Sequence, residues 1–157
     1  MRITLAASAL MLAFAVSAEA LNKYAWAFYK TGESEARLIY GIPESDIVTL
    51  VFICDARKKR IEIVTTALPA KAKKGQLLRT TLRNGAVTAA YDGKIGGGAS
   101  SDGYHFEVSI AAEPKVVDIL KSGASVTVGI PGHNERVPLK GVAKPLAQFE
   151  AACFRKR

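Results

Sequence analysis

Hydrophobic and polar residues alternate with period two along most of this chain, the pattern of half-buried β-strands. In KYAWAFYK, residues 23–30, the alternation sets Tyr24, Trp26 and Phe28 on one face. EARLIYG follows at 35–41, and then the turn Gly41-Ile42-Pro43-Glu44-Ser45-Asp46. IVTLVFIC at 47–54 is apolar on both faces, which suits a central strand. DARKK turns the chain, and RIEIVTT at 60–66 alternates again, with Ile61 and Ile63 facing one way. The loop ALPAKAKKG carries Lys71, Lys73 and Lys74. QLLRTTLR leads into Asn84-Gly85, a strong hairpin signal because both residues tolerate the positive φ of a tight turn. AVTAAY returns and is expected to stop at Asp92-Gly93, ahead of a glycine-rich loop, IGGGASSDG. GYHFEVSI sets Tyr104, Phe106, Val108 and Ile110 on one face and His105, Glu107 and Ser109 on the other. ASVTVGI and RVPLK flank the turn PGHNE.

Two segments follow the helical period instead. EPKVVDILKSG has Pro114 near its start and Gly123 as its stop. GVAKPLAQFEAACFR spaces Val142, Leu146, Phe149 and Cys153 along one helical face. Pro145 falls in the first turn of that helix, where a missing donor costs little. The pattern predicts about nine short strands and two short helices, with no repeat at a solenoid period. Strands spaced by about ten residues with Gly, Asn and Asp turns argue for a single-domain, mainly β fold, an antiparallel sandwich or small barrel. The C-terminal helix is expected to lie across one end or face.

The N-terminus has a separate role. Arg2 supplies a positive start, Leu5 to Val16 is apolar or small apart from Ser8, and Ala18-Glu19-Ala20 fits the small-x-small cleavage rule. Val16-Ser17-Ala18 is a second candidate. The apolar run is short of the roughly 20 residues a membrane span needs. Residues 1–20 therefore read as a signal peptide and 21–157 as one β-rich domain, periplasmic or secreted. No later stretch is apolar enough for a transmembrane segment.

Export changes the reading of the cysteines. Cys54 and Cys153 allow a single intramolecular pairing, there is no CxxC redox motif, and an exported chain can keep a disulfide. Two separate buried thiols are the alternative. A bond would staple the C-terminal helix to the strand ending at Cys54.

Charge adds the functional candidate. Lys and Arg number 22 against 14 Asp and Glu, a net +8, which favours anionic partners. Arg57, Lys58, Lys59 and Arg60 follow Cys54 closely, as Arg155, Lys156 and Arg157 follow Cys153. At about 3.3 Å per residue both groups would lie within ~20 Å of a Cys54–Cys153 bond and share one end of the molecule. That end is the candidate anion-binding face; the plain alternative is a solvated hairpin tip. Nucleic acid is disfavoured, because stacking platforms need exposed aromatic rings among the cations. The Ala-rich C-terminal helix carries too few cations for a membrane-surface helix.

No catalytic residue, metal site or cofactor is assigned. His105 lies two residues from Glu107 on one face, so a His–Glu pair is open to it, against the plainer reading of a solvated polar face. His133 and Glu135 are accounted for by turn chemistry. Two histidines without ligand spacing do not make a zinc site. Ser100, Ser101 and Asp102 lack a G-x-S-x-G elbow, GKIGGG lacks the ending of a P-loop, and Asp92 with Asp102 matches no EF-hand. The stripe of Tyr24, Trp26 and Phe28 could line a ligand groove, although such stripes are more often core.

Tyr40, Gly41, Pro43, Ser45 and Asp46, with Cys54 and the helix end Ala151-Ala152-Cys153, form a pattern. It resembles a loose group of exported alphaproteobacterial proteins, rhizobial ones among them, with a Y-G-x-P-x-S-D turn and two cysteines. The resemblance covers the two ends of the domain. It implies periplasmic residence and a mostly β fold, and no activity.

The expected function is binding, by a basic face, of an anionic envelope component or an acidic protein; a secreted inhibitor belongs to this class. One alternative is an envelope-glycan-acting enzyme using His105, Glu107 and Asp102. Another is a structural subunit of an envelope assembly.

Overall fold

The computed structural model describes residues 23–97 and 103–154. Residues 1–20, read above as a signal peptide, the Ser100-Ser101-Asp102 run and the Arg155–Arg157 tail lie outside the described residues. Among the described residues there are nine strands: β1 (Ala25–Thr31), β2 (Glu35–Gly41), β3 (Val48–Asp55), β4 (Arg60–Thr65), β5 (Leu77–Asn84), β6 (Val87–Gly97), β7 (Tyr104–Ala111), β8 (Ser125–Ile130) and β9 (His133–Pro138). The helices are α1 (Lys115–Asp118) and α2 (Ala143–Cys153). All strands join one antiparallel sheet in the order β1-β2-β3-β4-β7-β6-β5-β8-β9.

That sheet curls into a half-barrel, so the barrel side of the expected sandwich-or-barrel fold is the one realised. Its two edges are bridged by a side chain: Trp26 Nε1 on β1 donates to the Pro138 carbonyl on β9 at 2.8 Å. Alternation then decides what lies inside the curl. Leu38, Leu50, Phe52, Ile61 and Phe106 are fully buried on the inner face. Val142 at the N-cap of α2, with Leu146 and Phe149 from the helix, enters the same core, on the helical face read from the sequence. Cys54, on the inner face of β3, is bonded to Cys153, with Cα atoms 5.9 Å apart. Lys121 clamps the segment after α1 to α2, its ammonium 2.7 Å from Asp118 and 2.8 Å from Glu150. These two carboxylates push its pKa up to about 12.

Of the aromatic stripe only Trp26 is core: Tyr24 is exposed, and Phe28 is partly buried against the core at the rim of a hollow. Trp26 is buried against Tyr40, ring centroids 5.3 Å apart, and Tyr24 stacks on Tyr40 at 5.6 Å.

Four local expectations are corrected. β6 does not stop at Asp92-Gly93 but runs to Gly97, and Lys94–Gly97 pair with β7. Gly93 makes room: a Cβ there would lie 2.5 Å from Phe106 Cζ and closer still to the Glu107 carbonyl oxygen. The hairpin after β5 turns on Gly85-Ala86, with Gly85 at φ 56° and Asn84 paired to Val87. Asn84 is a tether instead: its Nδ2 donates to the carbonyls of Ile119, at 2.8 Å, and Ser122. α1 itself ends after a single turn, short of the stop expected at Gly123. Between β8 and β9 the turn is only Pro131-Gly132, so His133 and Glu135 are strand residues.

Candidate functional site

The four cations after Cys54 sit on the β3–β4 tip, which local chemistry builds. Asp55 Oδ1 accepts from the backbone N–H groups of Arg57 (3.0 Å) and Lys58 (3.1 Å), and Lys59 takes a left-handed φ of 51°. The Asp55 carboxyl is held below its ordinary value, chiefly by the Lys58 backbone bond and then by the Lys58 side chain.

The side chains of this tip are dispersed in their contacts. Arg57 reaches Glu33 at 3.0 Å, Lys58 reaches Asp55 at 3.0 Å, and Arg60 donates to the Ser109 hydroxyl and carbonyl at 2.8 and 2.9 Å. Lys59 and Arg60 have no ion-pair partner among the described residues, Arg60 bonding only to neutral groups of Ser109. It lines a hollow of about 690 Å³ with Lys30, Glu33, Glu35, Gln148 and Cys153. Glu33 is taken by Arg57 and Glu35 by Arg37 (2.7 Å), so Lys30 and Lys59 are the uncompensated charges there. The tip and the last turn of α2 thus meet at one hollow, as the bond requires. Arg155, Lys156 and Arg157, which continue the chain from there, are outside the described residues.

Lys30 was not singled out from sequence, yet a signal existed. In an up-and-down meander the turns after β1 and after β3 fall at the same end of the sheet. Gly32, between β1 and β2, therefore neighbours the Arg57–Lys59 tip, and Lys30 and Glu33 come with it.

The His105–Glu107 pair forms. His105 Nε2 is 3.2 Å from Glu107 Oε2, and Lys94 Nζ is 3.2 Å from Oε1. Gly96 leaves space for them: a Cβ there would be 2.9 Å from both the Glu107 carboxyl and His105 Nε2. Partial burial works against the Glu107 anion, but the hydrogen bonds from Lys94 and His105 outweigh it and hold the carboxyl below its ordinary value. With each oxygen occupied by a neighbour, Glu107 is an anchored acceptor and poorly placed as a base.

A depressed carboxylate stabilises the fold above its unfolded value and loses that contribution as pH falls through 4.5 and below. Glu107→Gln should therefore flatten the acid limb of the stability curve between about pH 5 and 3. Denaturant midpoints at successive pH values measure it; an unchanged limb refutes it.

His133 and Glu135 lie 3.7 Å apart on β9. The Y-G-x-P-x-S-D run forms a loop leaning over the outer face of β1 and β2. Ser45 Oγ donates to the Ile42 carbonyl at 2.8 Å and accepts from the Ile47 N–H at 3.2 Å. Beneath the loop lies a hollow of about 450 Å³, floored by Ala25, Ala27, Ile39 and Val48 and walled by Tyr29.

No helix among the described residues is long and apolar enough to cross a membrane. Comparison with protein-family models, curated proteins and solved structures finds no match to this chain.

Proposed function

We propose that this is an exported binding protein that engages an anionic envelope component or an acidic protein at its disulfide-linked end. The observation that supports this is the hollow where uncompensated Lys30 and Lys59 meet Cys153, two residues before the tail's first arginine. The exposed pairs of Arg57 and Lys58 do not count heavily against it. Such pairs are worth about 0–1 kcal/mol and exchange readily for a phosphate or carboxylate of a ligand. A net charge of +8 adds long-range attraction, which physiological salt limits to about 8 Å.

The test is binding to anionic vesicles and to an acidic glycan at low salt. Each cation near an anionic membrane surface is worth about 1 kcal/mol, so losing three or four shifts affinity by roughly a hundredfold or more. Neutralising either Lys30, Arg57, Lys58 and Lys59 or the Arg155–Arg157 tail should weaken binding, and neutralising both should abolish it. The β signal in circular dichroism should persist. His105→Ala should leave binding intact; loss of a glycan-cleaving turnover in that variant would favour the enzyme alternative. Binding that survives the combined neutralisation would refute the proposal.

A further inference from the structure

The inward-facing rows of the half-barrel run out at β1, the first strand of the sheet, and two of them end at the hollow beside Cys153. One row is Phe28 on β1, Leu38 on β2, Phe52 on β3 and Ile63 on β4. The next is Lys30, Ala36, Cys54 and Ile61. Leu38, Phe52 and Ile63 are buried in the first, and Ala36, Cys54 and Ile61 in the second. Lys30 therefore ends, in an ammonium, a row that is otherwise apolar and buried. Phe28 beside it is only partly buried against the core.

The hollow gathers an apolar wall and two free cations. Ala151 and Ala152 of α2 face Phe28 across it, and their methyl groups leave the volume open. Lys59 reaches it from the β3–β4 tip, while Glu33 and Glu35 are engaged by Arg57 and Arg37. Its volume, about 690 Å³, falls within the roughly 300–1,000 Å³ of small-molecule sites, which favour barrel mouths and join an apolar lining to a few polar groups. A lysine on an edge strand has a plain use, since its charge discourages pairing with another chain. That use explains neither the partly open Phe28 nor the second cation on a different hairpin.

An inorganic anion would occupy the two ammonium groups and leave the apolar wall wet. A ligand with one apolar chain and one anionic head uses both. We infer that the hollow takes a single-chain amphiphilic anion, its chain against Phe28 and the end of α2, its phosphate or carboxylate between Lys30 and Lys59. The inference rests on the reading of this end as an anion site. It narrows the partner to a lipid-like molecule, bound singly and not as a membrane surface.

Calorimetry with octyl, decyl and dodecyl phosphate, each below its aggregation concentration, tests this beside three chainless anions: inorganic phosphate, poly-glutamate and the acidic glycan. A fully buried methylene is worth about fourfold in affinity, so each added pair should tighten binding by roughly four- to sixteenfold. Lys30→Gln combined with Lys59→Gln should weaken dodecyl phosphate about tenfold or more, the usual worth of a hydrogen bond to a charged group. Ala151→Trp, at an exposed helix position, should fill the hollow, so that affinity no longer rises with chain length while the glycan still binds. Phe28→Ser should act in the same direction, and Ala151→Trp keeps the test if Phe28→Ser fails to fold. Circular dichroism checks each variant. Chainless anions bound with no gain from chain length overturn the inference and leave the anion site standing. A chain-length dependence that survives both the lysine pair and Ala151→Trp also overturns it. Failure of every anion to bind overturns the inference and the anion site together.

Discussion

Replacing both Cys54 and Cys153 with alanine should lower the free energy of unfolding by about 4–5 kcal/mol, the chain-entropy figure for so long a closed loop. The two cysteines are 99 residues apart, and the bond between them confines most of the described chain. A domain of this size has about 5–15 kcal/mol of net stability, so the loss would take about a quarter of it at the least. The bond also does local work. β3 is held in the sheet by ladders to β2 and β4, whereas α2 is held by its apolar face, the Lys121–Glu150 ion pair and this single covalent tie. Without it, α2 should open at lower denaturant than the strands. Guanidinium titrations of the double variant, and of the wild type with and without reductant, measure the effect. Reduction should reproduce the double variant, and a difference below about 1 kcal/mol would contradict the entropic account.

The strands were legible because a half-buried strand writes its burial into its own residues. Trp26, Ile61, Ile63, Phe106 and Val108 alternate in sequence and are buried in the structure. The bond was legible because only two cysteines exist and each shares a face with core residues, Phe52 for one and Phe149 for the other. What was not legible depends on partners distant in sequence. Nothing local distinguishes a glycine that turns the chain from one that yields space, and the reason for Gly93 lies on β7, at Phe106. Asn84 has the look of a turn residue, but its amide is spent on carbonyls past α1.

The basic tip is the clearest case. Read along the chain, Arg57 to Arg60 form one cluster. In space Arg57 answers Glu33 on the adjacent hairpin and Lys58 answers Asp55, so net charge at the tip falls, while Arg60 is held by neutral groups of Ser109 on β7 and keeps its charge. Lys59 and Arg60 stay without a carboxylate, and the meander brings a further uncompensated cation, Lys30, to the hollow that Lys59 lines. By contrast, the two-faced apolarity of β3 correctly marked a strand with neighbours on both sides.

Phe149→Ala should cost about 3–5 kcal/mol, the usual range for emptying a fully buried aromatic site. Phe149 has no exposed surface and sits one helical turn before Cys153. Its ring fills the space between α2 and the inner face of the sheet, where the helix contacts β1 and β2. The bond at the end of α2 limits how far the helix can settle into the vacated volume. Incomplete collapse leaves a cavity, and the cavity adds to the lost transfer energy. Phe149→Leu keeps most of the volume and should cost distinctly less. The same substitutions with the cysteines replaced should be smaller in effect, because an untethered helix can shift to close the gap. Denaturant midpoints of the four combinations test this through the coupling term of a double-mutant cycle. Equal costs for Phe149→Ala with and without the bond would mean that the disulfide does not constrain the helix, and that packing alone positions the end of α2 at which the proposed anion site is built.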